Sequence, residues 1–536
     1  MAASAVFVAA PPLQAPRRPQ RLRPRSPPAC RQQPPRPTPP LRSIRAILRS
    51  MRHYERLTRP ASRPNLDSSR FDLLPHHVKT PSQMLGTLSP GCEGTKGVFP
   101  RCNFACKPCY HSEHANRVRV DGMHTVTQVA RQMHLLKTLR GESAHCQLIG
   151  GEVSLLSPND HALALQTMRF FGRIPMSFTH GDFDFDYLKR LALLPDGTPR
   201  FDRLDFAVHF DMGMRGRRHA KHVRHELQLM PFRRRFVNMF RKLRKHHRVR
   251  YYLAHNMTVQ PSNLPYLADT VRQLKTLGFR LLSFQPAAQQ GAQQRWVSNL
   301  RDVADDHGHI VWQQIEHGMG IRLPYSLFQM GDVRCNRMCA CGIVGANRAK
   351  PHQQRVFPLF DDLCQPDHRI RDLIMTEIGN IALRPRLLYI KALRTILRKP
   401  WLLWPLVCWI ARVVRRAGGI WPILRFGITS LTIVMHRFMD ANDVSVAWQL
   451  MQDGVQLDDS RVDRAGPRIR ETMERLSACS YAMAQPEHGR VVPACVQHSV
   501  YDPVENIQLA TQLPLNEPPT PASEAQLDLL NERDQL

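Results

Sequence analysis

Three cysteines in one short loop carry the most specific chemistry in this chain. "RCNFACKPCY", residues 101–110, sets Cys102, Cys106 and Cys109 at a spacing of C-x3-C-x2-C, with no fourth cysteine nearby. A structural zinc site wants four protein ligands, commonly two Cys or His pairs separated by about a dozen residues, and His111 and His114 follow Cys109 too closely for an ordinary finger. Three thiolates fit better on an iron–sulfur cluster, because thiolate is the usual protein ligand there and one iron is then left open for another ligand.

Such a loop needs a scaffold to hold it. From 80 to 290 the chain alternates short apolar runs with helix-length stretches. "HCQLIGGEVSLL" (145–156), "IPMSFTHGD" (174–182), "RLDFAVHFD" (203–211), "VRYYLAHNMTV" (249–259) and "FRLLSFQPAA" (279–288) each read as a buried strand ending in polar or glycine residues. Segments 123–140, 158–171, 184–194 and 261–277 have helix length and lie between them. This alternation predicts an α/β fold with a parallel sheet and right-handed crossovers, open or closed into a barrel. In barrels the chemistry sits at the C-terminal strand ends, where these polar residues fall.

The 536 residues exceed what one hydrophobic core usually organises, and the net charge of +31 is uneven. Residues 1–50 hold ten arginines, no lysine and no acid, with many prolines, so 1–65 reads as a disordered extension. An extension with Met51 as an alternative start is the favoured account; an organellar transit peptide and a basic arm for nucleic acid or anionic lipid remain alternatives. Thirteen cysteines without a regular framework indicate a reducing compartment and ligand or buried thiols.

The cysteine spacing resembles the radical SAM superfamily. There a C-x3-C-x2-C loop after the first barrel strand holds a 4Fe-4S cluster whose open iron chelates S-adenosylmethionine. One electron then cleaves that molecule to methionine and a 5'-deoxyadenosyl radical. Gly150, Gly151 and Glu152, at the end of the next strand, are similar to the family's GGE motif at the methionine amino group. Ser177 and Thr179 are placed like its ribose contacts; Asn256, Thr258, Gln285 and Pro286 match later positions weakly. The family usually has an aromatic residue directly before the third cysteine; here Pro108 stands there and Tyr110 follows, which puts the adenine contact in question. The resemblance implies a partial (βα)6 TIM-type barrel over 80–300, a reductant such as flavodoxin or ferredoxin, and a small-molecule or lipid substrate. More broadly, 80–510 resembles uncharacterised bacterial radical SAM oxidoreductases through "CKPCYH", "GGEVSLL", "SFTHGD" and "ACVQHSV".

A second cysteine set follows, in a region 301–510 expected to be helical. "RFMDANDV" (437–444), with Cys479 and Cys495 around "GRVVP", is similar to the branch that includes archaeal tetraether lipid synthases, whose members bind further clusters there. The resemblance implies an auxiliary cluster on Cys335, Cys479 and Cys495, with Cys92 or Cys339 as fourth ligand; buried free thiols are the alternative. Cys30, Cys146, Cys364 and Cys408 read as packing or loop residues. His180, His209 and His255 stand at strand ends, facing a site or filling space. Residues 379–438 mix apolar runs with Arg, Lys and four tryptophans; Pro405 and Arg425 interrupt the runs, so they read as amphipathic helices that cover the barrel edge or lie in a membrane interface. A flexible tail is expected over 511–536. The competing function is a non-enzymatic zinc or nucleic-acid binding protein, but no RNA-binding module is visible and no specific nucleic acid is expected. The expected location is the cytoplasm, at a membrane surface if the interface reading holds, or an organelle if the arginine-rich segment is a transit peptide.

Overall fold

The computed structural model describes residues 68–107, 109–110, 113–141, 145–214, 223–289, 308–346, 354–379 and 385–523; the extension over 1–65, Cys30, Pro108 and His111 lie outside the described residues. Within them the alternation read from the sequence becomes β1 (Cys92–Gly94), α1 (Gly122–Arg140), β2 (His145–Leu148), α2 (Pro158–Phe170), β3 (Ile174–Thr179), α3 (Phe185–Ala192), β4 (Arg203–His209), α4 (Met230–His247), β5 (Arg250–Val259), α5 (Leu267–Leu274) and β6 (Leu281–Pro286). Helix starts are set by side-chain caps. Asp121, Ser157 and Asp184 accept from the N–H groups of His124, Asp160 and Tyr187, satisfying donors that the first turn leaves free. Pro158 then occupies the first position of α2, where its missing N–H costs nothing.

Strands β1 to β6 stand side by side in chain order and all run parallel. The chain continues through α6 (His309–Met319), β7 (Asn336–Val344), β8 (Arg355–Pro358), α7 (Gln365–Leu373), α8 (Pro385–Arg398), α9 (Leu403–Arg416), α10 (Ile420–Phe426) and β9 (Ile428–His436). After α11 (Ala441–Gln452), α12 (Ser460–Ala465) and α13 (Pro467–Ser477) come β10 (Tyr481–Gln485), β11 (Arg490–Pro493) and α14 (Asp502–Gln512). β9 pairs parallel with β6, β10 pairs parallel with β1, and β7, β8 and β11 add antiparallel edges.

The region after 300 is therefore not purely helical, because it extends both edges of the same eleven-stranded sheet. "ITSLTIVMH", read from the sequence as part of an amphipathic helical stretch, is β9; its threonines and isoleucines suit a pleated surface flanked on both sides. The tail is likewise held as far as residue 523. Arg119 N–H donates to Leu513 O, Thr520 N–H to Asp121 and Ala522 N–H to Asp160.

The sheet curls. β7 and β10 are eight steps apart in its order, about 38 Å if flat. Yet Asn336 Nδ2, at the start of β7, donates to Ser480 Oγ, just before β10, at 3.0 Å. The main core fills the space between the strands and α1 to α6, with Phe206, Phe236, Phe240 and Phe284 fully buried. A second core under α11 to α13 takes in Met483, Val492 and Cys495, so these helices pack against β10 and β11.

Candidate functional site

The parallel strands bring their C-terminal ends to one edge of the sheet, and the three-cysteine loop leaves β1 at that edge. It is fastened to the turn after β2: Gly151 N–H donates to Phe99 O at 2.7 Å and Glu152 N–H to Arg101 O at 2.9 Å. Only glycine permits this approach. A Cβ on Gly151 would sit 2.0 Å from Arg101 O, and one on Gly150 would sit 2.8 Å from the Phe99 ring.

Further contacts hold the loop in place. Cys102 N–H donates to Asn116 Oδ1 at 3.1 Å, Phe104 N–H donates to Cys102 Sγ at 3.3 Å, and Lys107 N–H donates to Gly213 O at 3.0 Å. The Phe104 ring stacks on His180 at 3.8 Å, and Asn103 Oδ1 lies 2.7 Å from His180 Nε2. Cys102, Cys106 and Cys109 stay partly exposed. Tyr110 donates to Gly150 O at 3.3 Å and lies against His498, whose Nδ1 is 2.7 Å from Asp502. Burial raises the Tyr110 phenol well above its ordinary range, and the Cys109 and Cys102 thiols push the same way.

The carboxylate of Glu152 points back into the protein. It accepts from Ser154 N–H at 2.9 Å, Ser154 Oγ at 2.5 Å, Thr179 Oγ1 at 2.7 Å and His180 N–H at 2.8 Å. Three of those donors share Oε1 and His180 N–H takes Oε2, so Glu152 and Thr179 brace the strand ends. Ser177 lies on the helix side of β3, its hydroxyl 2.8 Å from His161 Nε2 of α2, fully buried. His209, at the end of β4, stands 2.5 Å from Asp211 and 3.5 Å from Thr258 Oγ1. His255 is an interior residue: its Nε2 accepts from Arg233, and burial holds its pKa far below the usual histidine value. Asn256 is buried, its carbonyl accepting from Phe210 N–H; Gln285 donates to Ser283, and Pro286 closes β6.

The second cysteine set converges although its members come from distant segments. Asn336, next to Cys335, donates to Ser480, next to Cys479, and Cys92 N–H donates to Ser480 O at 2.8 Å; the Cys479 and Cys335 thiols also add to burial in raising Cys495. Burial raises all of Cys92, Cys479 and Cys495, Cys92 to about 11. Arg475 Nε donates to Cys335 Sγ at 3.2 Å. Of the two residues expected as fourth partner, Cys92 lies beside Cys479, through the pairing of β1 with β10. Cys339 does not: it is in the main core, 3.6 Å from Cys341 Sγ. Cys146 is a buried core thiol, as expected of a packing residue.

The sequence reading missed Phe104, Asn103, His498, Asp502 and Arg475. Only the i, i+4 spacing of His498 and Asp502, in a π-helical turn over Gln497–Tyr501, was a signal available in advance. Among the described residues, no group of three or more His, Cys, Asp or Glu is arranged to hold a metal ion.

No protein-family model matches the chain, and no curated protein matches it. Among solved structures it is similar to SuiB of Streptococcus suis, at 9% identity and a TM-score of 0.27, over 41% of this chain and 47% of that one. It is also similar to native anSMEcpe with bound AdoMet, at 13% identity and 0.29, over 43% and 62%, and to the histidine-tagged form with bound AdoMet, at 12% and 0.29, over 41% and 58%. The chain thus spans between about half and three-fifths of the length of these structures.

Proposed function

We propose that this chain is a redox enzyme whose cofactor is held by thiolates at the C-terminal mouth of a curled parallel sheet. More particularly, we infer a radical SAM enzyme built on a partial (βα)6 barrel. The observation that carries the reading is the seating of the Cys102–Cys106–Cys109 loop after β1 on the Gly150–Gly151 turn after β2. The donor set fits a 4Fe-4S cluster, with three partly exposed thiols and a backbone N–H already directed at one sulfur. Bound there, the cluster supplies one-electron reductive cleavage of S-adenosylmethionine.

The rest of the site's work falls to this chain. Phe104, stacked on His180, and Asn103 fix the loop's first half; Tyr110 fixes its second half against Gly150. The exposed backbone of the Gly150–Gly151 turn is where a bound molecule approaches closest. His209, oriented by Asp211, faces the same edge as a proton carrier. Cys335, Cys479 and Cys495, joined by Cys92 rather than Cys339, are the ligand group for an auxiliary cluster, with Arg475 offsetting thiolate charge.

The test is iron and sulfide in the anaerobically reconstituted protein, beside a C102A/C106A/C109A variant, with 5'-deoxyadenosine followed after dithionite and S-adenosylmethionine. The variant is expected to lose about four irons per chain and all deoxyadenosine formation. Zinc in place of iron, or deoxyadenosine formation surviving in the variant, overturns the reading.

A further inference from the structure

Helix α9 is amphipathic in an inverted sense. On α9 the inner stripe carries the polar anchors: Arg412 and Arg416 both pair with the buried Asp367 carboxylate, and Trp409 Nε1 donates to Leu359 O while its ring stacks on Phe360. The outer stripe is apolar, with Leu403, Trp404, Val407 and Ile410 exposed. A helix on an ordinary protein surface has the opposite arrangement.

The same exposure runs across the neighbouring helices. Of the twenty-two large apolar side chains left exposed among the described residues, twelve lie between Ile390 and Ile428. Leu397 is 73% exposed, Trp404 73% and Trp421 77%. Apolar exposure on this scale marks a binding face. Its charge selects the occupant: between Glu377 and Asp440 the sequence has eleven lysines and arginines and no acid. The N-terminal fifty residues are equally free of acids, so they do not complement it. No helix among the described residues is long and apolar enough to cross a membrane.

We propose that the outer face of α8 to α10 docks on an anionic lipid bilayer, lying in the interface with Leu397, Trp404 and Trp421 inserted and the exposed Arg394, Arg398, Arg415 and Arg425 at headgroup level. Exposed tryptophan beside a basic rim, on helices too short to span, is the composition of an interfacial surface. This inference is independent of the cysteine-loop reading, since it concerns partitioning and not iron.

The experiment is flotation of the full-length protein with vesicles of phosphatidylcholine and of an equal mixture of phosphatidylcholine and phosphatidylglycerol. Flotation with the mixture and little with phosphatidylcholine alone is expected. Trp404→Glu with Trp421→Glu should weaken partitioning about tenfold or more, whereas Leu73→Glu, an exposed apolar residue elsewhere, should leave it unchanged. Both tryptophans are exposed, so the double variant should keep the wild-type circular dichroism. Absence of wild-type flotation with the mixed vesicles overturns the proposal. So does a wild-type dimer in light scattering that the double variant converts to monomer, which would assign the face to a second copy. Flotation gained only on removal of residues 524–536 would assign it to the chain's own acidic tail and equally overturn the proposal.

Discussion

Gly151→Ala tests whether the cysteine loop depends on the turn after β2. The new methyl would lie 2.0 Å from Arg101 O and 2.4 Å from Pro100 O, both backbone atoms that cannot swing aside as a side chain would. Relief requires the strand-end turn and the loop to separate. Two backbone bonds, Gly151 to Phe99 and Glu152 to Arg101, then break at about 1 kcal/mol each. Overpacking adds about 1–3 kcal/mol, for a total of about 3–5 kcal/mol. The cost falls on a surface loop, so detachment of residues 99–110 should precede global unfolding. The assay is iron per chain after anaerobic reconstitution, with the urea midpoint measured alongside. The expected result is loss of the iron proposed for Cys102, Cys106 and Cys109, with far-ultraviolet circular dichroism retained. Gly197→Ala is the control: its φ is +81° but a Cβ meets nothing within 4 Å, so it carries only the left-handed backbone cost of about 1–2 kcal/mol and should keep its iron. If Gly151→Ala holds iron like wild type with a midpoint no lower than Gly197→Ala, the loop is not seated on this turn and the reasoning fails.

The acid limb of stability should follow buried histidines. Burial lowers His161 to about 3, His436 to about 4 and His255 well below its ordinary value, while the unfolded chain titrates near about 6.5. Below that value the unfolded state binds more protons, so stability is fully present above pH ~6.5 and falls by about 1.4 kcal/mol per pH unit per histidine toward the folded values. Urea midpoints at pH 7, 6 and 5 measure the slope, and His161→Asn should remove about one histidine's share; an unchanged slope refutes the assignment. Arg233→Ala should cost about 3–5 kcal/mol, since Arg233 and Glu226 form a fully buried ion pair and the variant leaves Glu226 without it; a loss under about 1 kcal/mol in chemical denaturation would contradict this. In the auxiliary group, Cys92→Ser should lower iron in the C102A/C106A/C109A background while Cys339→Ser should not, because only Cys92 shares the Cys479 neighbourhood. The reverse pattern in iron analysis would place the group elsewhere.

The strands, their parallel order and the cysteine loop were legible because each depends on local pattern: apolar runs of strand length, polar strand ends, and a ligand spacing inside one loop. What sequence could not give is which face a residue presents and which distant strands meet. Ser177 and Thr179 share a side of β3, yet Ser177 meets His161 of α2 while Thr179, one pleat later, reaches Glu152 at the edge. Glu152 offers a carboxylate in the sequence; only the turn geometry shows it engaged by Ser154, Thr179 and His180. β9 was hidden because its apolar residues follow directly on three apolar helices, and because its partners, β6 and β7, lie far away in the chain.

The choice between Cys92 and Cys339 shows the same limit. Cys339 is close to Cys335 in sequence, but Cys335 precedes β7 whereas Cys339 lies within it, on the side packed into the main core. Cys92 is remote in sequence, but β1 pairs with β10 at Cys92–Tyr481, which sets it beside Cys479. Curling of the sheet then brings Cys335, at the start of β7, to the same place. Tyr481, paired with Cys92 across β1 and β10, donates to Gln147 of β2, the strand whose turn seats the three-cysteine loop. The C-terminal strands therefore do more than cover the sheet's edges. By adding β10 next to β1, they set Cys479 beside the strand from which the three-cysteine loop departs.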